Sequence, residues 1–172
     1  MTILYDRTKA VTYSETWWEQ GNPIFLSFPL DAANFVSQCL WAGDIPMDLS
    51  SDMEAGWWYQ GCGNPQDTYS FSWASSHSFR WYFSSQSGAK FARVIAEPWQ
   101  LEPGDVICYD WSGDGLWQHT AIVAACDRTG QPLVNCHTPN GYHKNWRLKD
   151  ALEWTKDTTY LFIKIKDHFE SL

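Results

Sequence analysis

The apolar positions in the first half of the chain follow the spacing of helices. Over residues 5–19 they recur on one side of a helix, and the Gly-Asn-Pro sequence that follows is typical of a helix end. Over residues 31–42 the pattern is clearer, with apolar residues at i, i+1, i+4 and i+5. Asp31 is a suitable N-cap for this second helix and Gly43 a suitable end. A short aromatic helix is predicted over residues 78–85.

The second half of the chain changes to the period of two that is typical of strands. A Glu-Pro-Gly-Asp turn precedes the first predicted strand, and an Asp-Arg-Thr-Gly-Gln connection predicts a hairpin between the second and the third. Residues 44–74 lack periodicity and are predicted to form a functional loop. Helices followed by an antiparallel sheet predict an α+β fold. The predicted strands are VICYD, HTAIVAAC, PLVNCH and TYLFIKIK, at 106–110, 119–126, 132–137 and 159–166.

Composition narrows the classes of function. The 172 residues contain no repeat or low-complexity tract, which predicts a single domain over residues 1–172. A net charge of −8 disfavours nucleic acid as a partner. The longest apolar run, residues 121–126, is too short to cross a membrane. The N-terminal segment lacks the apolar core of a signal peptide, so we expect either a cytoplasmic location or secretion as part of a longer precursor.

The five cysteines include no close CxxC pair, which favours neither a disulfide framework nor structural zinc. Cys39, Cys108, Cys126 and Cys136 lie in apolar patterns and are expected to be buried thiols, whereas Cys62 in the irregular stretch is expected to be exposed. We expect no cofactor. The 12 tryptophans are too many to be completely buried, which indicates that some of them line a groove.

Two places in this pattern suit catalytic chemistry. The helix that begins near Asp31 offers unpaired backbone N–H groups and a positive dipole end, which stabilise a thiolate or a developing oxyanion. One strand begins at His119, and the strand that the hairpin folds back beside it ends at His137. Because the start of one strand in a hairpin lies near the end of the other, the two imidazoles are expected to meet.

The motifs along the chain also carry a family resemblance. In order they are YDRTKAVTY, an NP pair, DAANFVSQCLWAG, WWY, SW, GDVICYD, HTAIV and NCHTPN. Over about residues 5–166 they resemble an amidase domain family, a branch of the papain-like NlpC/P60 and CHAP-type cysteine hydrolases. The resemblance implies a papain-like, NlpC/P60-type fold with a cysteine nucleophile at the start of the helix. It also implies His119 as the general base and a polar residue on the next strand, either His137 or Asn135, that orients it.

Position 32 departs from the family's pattern. Where the family reads DC(T/A)NFVSQ, this chain reads DAANFVSQ, so that Ala32 stands at the nucleophile position. Alanine cannot attack a carbonyl, and covalent catalysis of this type requires an activated thiolate. Two explanations are open: an engineered Cys-to-Ala substitution that inactivates an enzyme, or a natural pseudoenzyme.

Residues beside the nucleophile position are candidates for substrate binding. Asp31 either caps the helix or contacts a free amine of the substrate, as the equivalent residue does in related NlpC/P60 peptidases. Asn34 and Gln38 are either solvated or polarise the scissile carbonyl. Trp57 and Trp58 either wall a substrate groove or belong to the core.

The function predicted first is that of a cysteine amidase or peptidase, which hydrolyses a peptide amide through an acyl-enzyme. Its expected substrate is a peptidoglycan-like or other short peptide, and we expect a monomer. The second hypothesis is a peptide-binding module in which Ala32 is the native residue. The third, a metal hydrolase, lacks the HExxH spacing of a zinc-binding helix. Its available ligands are His119, His137 and His143 with Asp105 or Asp150.

Overall fold

The computed structural model describes residues 1–171 and places helices before most of the strands. The helices are α1 (Arg7–Trp17), α2 (Ala32–Ala42), α3 (Phe71–Ala74) and α4 (Ser76–Ser84). The strands are β1 (Thr2–Leu4), β2 (Tyr59–Gln60), β3 (Thr68–Tyr69), β4 (Ala92–Ile95), β5 (Val106–Asp110), β6 (His119–Cys126), β7 (Pro132–Cys136), β8 (Gly141–Asn145), β9 (Thr159–Ile165) and β10 (His168–Glu170). This arrangement confirms the predicted α+β fold.

The two N-terminal helices lie close to their predicted positions. The side chain of Asp6 caps α1 by accepting a hydrogen bond of 3.0 Å from the backbone N–H of Lys9. Helix α2 follows Asp31, and the N–H of Gly43 closes its last turn, as predicted. All residues of α2 from Ala32 to Leu40 are buried, because the helix packs against α1, α3 and the sheet at once. This helix is therefore the centre of the fold.

The main sheet has six antiparallel strands in the order β4-β9-β5-β6-β7-β8. Strands β5 and β6 have their predicted bounds, and β7 and β9 each end one residue earlier than predicted. The sequence pattern missed β1, β4, β8 and β10, which are three to five residues long and too short for a period of two to stand out. Two of these, β1 and β10, pair with each other and join the ends of the described chain.

Each face of the sheet carries its own hydrophobic cluster. Val106, Cys108 and Ile122 point to the helix side, where they pack against residues of α1, α2 and α4. Ile107 and Tyr109, which alternate with them along β5, point to the other side, a cluster closed by the segment after β8. The helix face and the far face of the sheet are therefore distinct environments for any side chain on β6 or β7.

The irregular stretch over residues 44–74 is more ordered than predicted. It contains the short β2-β3 hairpin and helix α3, and an isolated bridge joins Asp48 to Trp57. Its tryptophans contribute to the core. Among residues 1–171, no helix is both long enough and apolar enough to cross a membrane.

A buried ion pair joins the start of α1 to the sheet. Arg7 donates to Asp105 at 2.8 Å and to the backbone carbonyls of Pro103 and Ile165 at 3.0 and 2.6 Å. The Asp105 side chain is fully buried, and Lys164 approaches its second oxygen at 3.1 Å. This network anchors the N-terminal helices to the sheet because a buried carboxylate must keep its cation.

We expect Arg7→Met to lower the free energy of unfolding by about 3 kcal/mol, because it leaves Asp105 buried without its main cation. Lys9→Met on the same helix is the matched control, since Lys9 pairs with Asp44 in solvent. The control should leave the urea midpoint nearly unchanged. Equal losses in the two variants would show that the buried pair has no special role.

Candidate active site

Ala32, the predicted nucleophile position, is the first residue of α2 and lines a cleft of about 240 Å³. The walls of the cleft come from the start of α2, the junction of α3 with α4, and the neighbouring ends of β6 and β7. A thiol at position 32 would therefore lie in the cleft wall. The lining residues are Leu30, Ala32, Ala74, Ser75, Ser76, Trp117, Gln118 and Thr138.

The start of α2 leaves backbone N–H groups available to a ligand. Asp31 precedes the helix, but its side chain makes no capping hydrogen bond. The N–H of Phe35 is the first that bonds back to the helix start, to the carbonyl of Asp31 at 3.0 Å. The earlier N–H groups, including that of Ala32, therefore lack an acceptor within the helix. They are suitable donors for an oxyanion formed in the cleft.

The Asp31 carboxylate is engaged within the protein. One oxygen accepts from the backbone N–H of Phe28 and from the side-chain amide of Asn34, both at 2.9 Å. The other oxygen lies 2.7 Å from Nδ1 of His137. Because both oxygens are used in this way, Asp31 positions the start of α2. Its side chain does not cap α2, so the predicted capping role is wrong, and its contact with a substrate amine stays a prediction.

His137 is held between the two N-terminal helices. Its Nδ1 faces Asp31, its Nε2 lies 2.6 Å from the carbonyl oxygen of Trp17, and its ring stacks on Phe35 with centroids 4.0 Å apart. Because both nitrogens are occupied, the prediction that His137 orients His119 is wrong.

A β-bulge explains why the two histidines do not meet. Near the hairpin turn Ala125 pairs with Leu133, but the next pair is Val123 with Val134. Strand β6 thus has one residue more than β7 at this point. From Val123 towards His119, each residue of β6 pairs with the β7 residue one position earlier than in a regular hairpin. Its side chain therefore shares a face with different β7 residues than the regular pairing would give. As a result one histidine faces the helices and the other the far face.

Asn135, the alternative to His137, also faces the helices. Its side-chain amide donates to the hydroxyl of Ser14 at 2.9 Å, and its oxygen accepts from the backbone N–H of His143 at 2.9 Å. Asn135 therefore joins α1 to β7 and β8. Neither of the two predicted orienting residues reaches His119.

His119 lies on the far face of the sheet, fully buried. Its ring stacks on Trp111 and packs against Tyr109, with centroids 5.3 and 5.2 Å away. Neither ring nitrogen has a hydrogen-bond partner among residues 1–171. Burial lowers the pKa of His119 to about 3 although the Thr138 backbone acts in the opposite direction, so the imidazole is neutral at pH 7. Gln118 precedes it and, like Thr138, lines the cleft, which places His119 behind the cleft wall.

Asn34 and Gln38 are buried and bonded within the protein rather than solvated. The Asn34 amide donates to the carbonyl of Leu26 at 2.8 Å, and its oxygen accepts from the indole N–H of Trp73 at 2.9 Å. The Gln38 oxygen accepts from the Tyr13 hydroxyl at 2.6 Å. Both residues hold α2 in its surroundings, which corrects their predicted role in polarising a carbonyl.

Trp57 and Trp58 are buried, so of the two interpretations the core role is correct and the groove wall is wrong. The indole N–H of Trp57 donates to the Ser37 hydroxyl, and that of Trp58 donates to the carbonyl of Ala55, both at 3.0 Å. The indole that lines the cleft belongs to Trp117, in the loop between β5 and β6.

The polar lining of the cleft escaped the sequence analysis. The Ser76 hydroxyl accepts from Thr120 at 2.8 Å, and the Thr138 hydroxyl accepts from the N–H of Asp31 at 3.2 Å. Gln118 accepts from the N–H of Trp111 at 3.0 Å. The sequence gives one indication of these residues: Gln118 precedes His119, and Thr138 follows His137.

The cysteines do not supply a substitute nucleophile at the cleft. Cys39, Cys108 and Cys136 are buried as predicted, and burial raises the pKa of Cys39 well above its usual range and that of Cys136 to about 12. Cys62 is exposed as predicted. Cys126 is exposed, so its predicted burial is wrong, because the last residue of β6 extends beyond the core. None of these thiols lines the cleft.

The described part of the chain does not offer the ligands that the metal-hydrolase hypothesis requires. Residues 1–171 contain no group of three or more His, Cys, Asp or Glu side chains that could hold a metal ion. His143, one of the proposed ligands, pairs instead with Glu15 at 2.8 Å.

A family model described as "Putative amidase domain" matches residues 4–163. The chain belongs to this amidase domain family. The uncharacterized protein YhbB of Bacillus subtilis (strain 168) is 40% identical to it over 164 residues, which cover 95% of this chain and 51% of YhbB. The chain thus spans about half the length of this curated relative. No solved structure matches it.

We expect His137→Phe to lower the free energy of unfolding by about 3 kcal/mol, because the buried Asp31 carboxylate would lose a hydrogen-bond partner while the stacking on Phe35 is kept. His143→Phe is the matched control. It breaks the partly exposed pair with Glu15 and should cost less than about 1 kcal/mol. Urea unfolding at neutral pH measures both, and similar losses would contradict a special role for the buried pair.

His119 should make folding sensitive to acid. An unfolded histidine has a pKa of about 6.5, whereas the folded pKa is about 3, so between these values the unfolded chain binds a proton that the folded chain does not. Stability contributed by this site is therefore lost as the pH falls from 6.5 towards 3, by up to roughly 1.4 kcal/mol per pH unit.

His119→Leu removes this proton without leaving an unsatisfied polar atom. Urea unfolding of both proteins at several pH values between about 7 and 4.5 should show the variant gaining stability relative to the parent as the pH falls. A difference that stays constant over this range would contradict the neutral, buried state of His119.

Proposed function

We propose that this domain is a cysteine amide hydrolase with a papain-like, NlpC/P60-type fold, in which position 32 carries the nucleophile. The chain with Ala32 then binds a peptide and does not cleave it. The observation that carries this proposal is that position 32 is both the first residue of a buried helix and part of a cleft wall. Membership of the amidase domain family supports amide hydrolysis as the class of reaction.

The chemistry follows from a thiol at position 32. The positive end of α2 favours its thiolate, which attacks the carbonyl carbon of the amide. The resulting oxyanion accepts hydrogen bonds from the N–H groups at the helix start. The base that took the thiol proton returns it to the departing amine nitrogen, so the C–N bond breaks and a thioester forms. Water then attacks the thioester, releasing the acid and restoring the thiol.

His119 is the proposed base. A base needs a free nitrogen, and neither nitrogen of the His119 ring has a hydrogen-bond partner among residues 1–171. A thiolate beside the ring would favour its protonated form and so raise the pKa that burial lowers to about 3. The role requires the ring to enter the cleft between Gln118 and Thr138, the two cleft residues that flank it. His137 contributes indirectly, because it fixes Asp31 and with it the start of α2.

The lining of the cleft supports a peptide as the substrate class, including a peptidoglycan-like peptide. None of its side chains is charged, and Ser75, Ser76, Gln118 and Thr138 offer hydroxyl and amide groups suited to peptide N–H and C=O groups. Trp117 adds an aromatic surface. A natural peptide-binding module would use the same cleft, and Ala32 itself is the observation that favours it.

Restoring the thiol tests the site without knowledge of the substrate. At about pH 6, iodoacetamide should alkylate the thiol of Ala32→Cys at least about tenfold faster than that of Ala74→Cys, because position 32 is the first residue of α2, whereas Ala74 ends α3 and lies outside the first turn of α4. Ala74 is the matched control: it lines the same cleft from the last residue of α3. Peptide mass spectrometry separates these thiols from the five native ones.

Adding His119→Leu to Ala32→Cys should slow alkylation at pH 6 to the rate of an ordinary thiol with a pKa of about 8.5. Circular dichroism confirms that the double variant is folded. Equal rates for Ala32→Cys and Ala74→Cys would overturn the assignment of position 32. Fast labelling that survives His119→Leu would remove His119 from the mechanism but leave the nucleophile position in place.

A further inference from the structure

Beside the cleft, α4 presents two side chains to the loop residue Trp117. The guanidinium carbon of Arg80 lies 5.1 Å from the ring centroid of Trp117. His77, one turn earlier on α4, accepts a hydrogen bond of 3.2 Å from the backbone N–H of Trp117 at its Nδ1. Of these three residues only Trp117 lines the cleft, and His77 lines the neighbouring hollow; His77, Arg80 and Trp117 are together called the rim cluster here.

Arg80 has no anionic partner in the described part of the chain. Its Nε is buried and makes no hydrogen bond within residues 1–171. A buried N–H without an acceptor is costly, and a bound anion is one arrangement that would satisfy it. Arg80 shares the lack of an ion pair with other cations of the chain, so the unpaired, buried Nε and not the missing ion pair distinguishes it.

The other two members of the rim cluster also offer donors. The Nδ1 of His77 accepts a hydrogen bond, so the neutral ring carries its proton on Nε2. The indole N–H of Trp117 can only donate. Glu54 lines a neighbouring hollow with His77 but forms no ion pair with it or with Arg80. The rim cluster therefore gathers donors, one of them cationic, and Arg80 Nε has no acceptor among residues 1–171.

We propose that the rim cluster binds a carboxylate of the peptide that occupies the cleft, so that the substrate is a peptide with a free acidic group near the scissile amide. This inference rests on the proposed function, since it assigns the specificity of the same cleft. A guanidinium matches a carboxylate with two parallel hydrogen bonds, and a neighbouring aromatic face holds it in place. The carboxylate could be the C-terminus of the peptide or an acidic side chain.

The chain with Ala32 allows binding to be measured without turnover. A pool of N-acetylated tetrapeptides, made once with free C-terminal carboxylates and once as C-terminal amides, is incubated with the protein, and retained peptides are quantified by mass spectrometry after gel filtration. We expect peptides with a carboxylate to be retained about tenfold more than peptides without one, as for a hydrogen-bonded ion pair. Among the amides, enrichment of Asp or Glu would identify a side-chain carboxylate as the ligand.

The variants separate a binding role of Arg80 from a structural one. Arg80→Gln should abolish the preference for carboxylates, and Arg80→Lys should keep part of it, because the charge remains and the planar fork is lost. Arg147→Gln is the matched control, since Arg147 also stacks on an indole, that of Trp146, at 4.5 Å and away from the cleft. The control should leave the preference unchanged.

Two failures are distinguishable. If peptides with and without any carboxylate are retained equally, or if Arg80→Gln keeps the preference, the rim cluster does not bind a carboxylate, and peptide binding by the cleft still stands. If the parent protein retains no peptide from either pool, the inference is overturned together with the binding part of the proposed function. Alkylation of Ala32→Cys then decides separately whether position 32 is a nucleophile site.

Discussion

The buried hydrogen bond between Asp31 and His137 fixes the position at which α2 begins, and the rest of the site depends on that position. Because Asp31 is turned towards His137, it does not cap its own helix, and the first N–H groups of α2 stay free. The same contact ties the helix to the end of β7, where Thr138 forms one wall of the cleft. The contact between Asp31 and His137 thus leaves the first backbone N–H groups of α2 available as hydrogen-bond donors beside the cleft.

Much of the fold could be predicted from periodicity, because α2 and the strands β5, β6, β7 and β9 repeat their apolar residues over five residues or more. The face on which each site residue lies could not be predicted. The bulge in β6 has no glycine or other marker in the sequence, yet it reverses the face of His119 relative to His137. One extra residue therefore separated two histidines that the hairpin was expected to bring together.

In the candidate site, too, features that depend on the local sequence could be predicted, and features that depend on tertiary packing could not. The helix start at Ala32 could be predicted, because it depends on a local sequence pattern. The roles of Asn34, Gln38, Trp57 and Trp58 could not, because burial of a polar or aromatic side chain depends on which elements pack over it. The polar cleft lining comes from element ends that are distant in sequence, and only the packing of α2 brings these ends together.

Trapping an acyl-enzyme tests the central claim, that position 32 is the nucleophile site, most directly. Ala32→Cys is mixed with a pool of short peptide p-nitrophenyl esters, quenched in acid after one turnover and digested for mass spectrometry. We expect an acyl group on the peptide that contains position 32, and none on the same peptide from Ala74→Cys or from the parent chain. Acylation of another residue, or of none while the variant is folded, would contradict the claim.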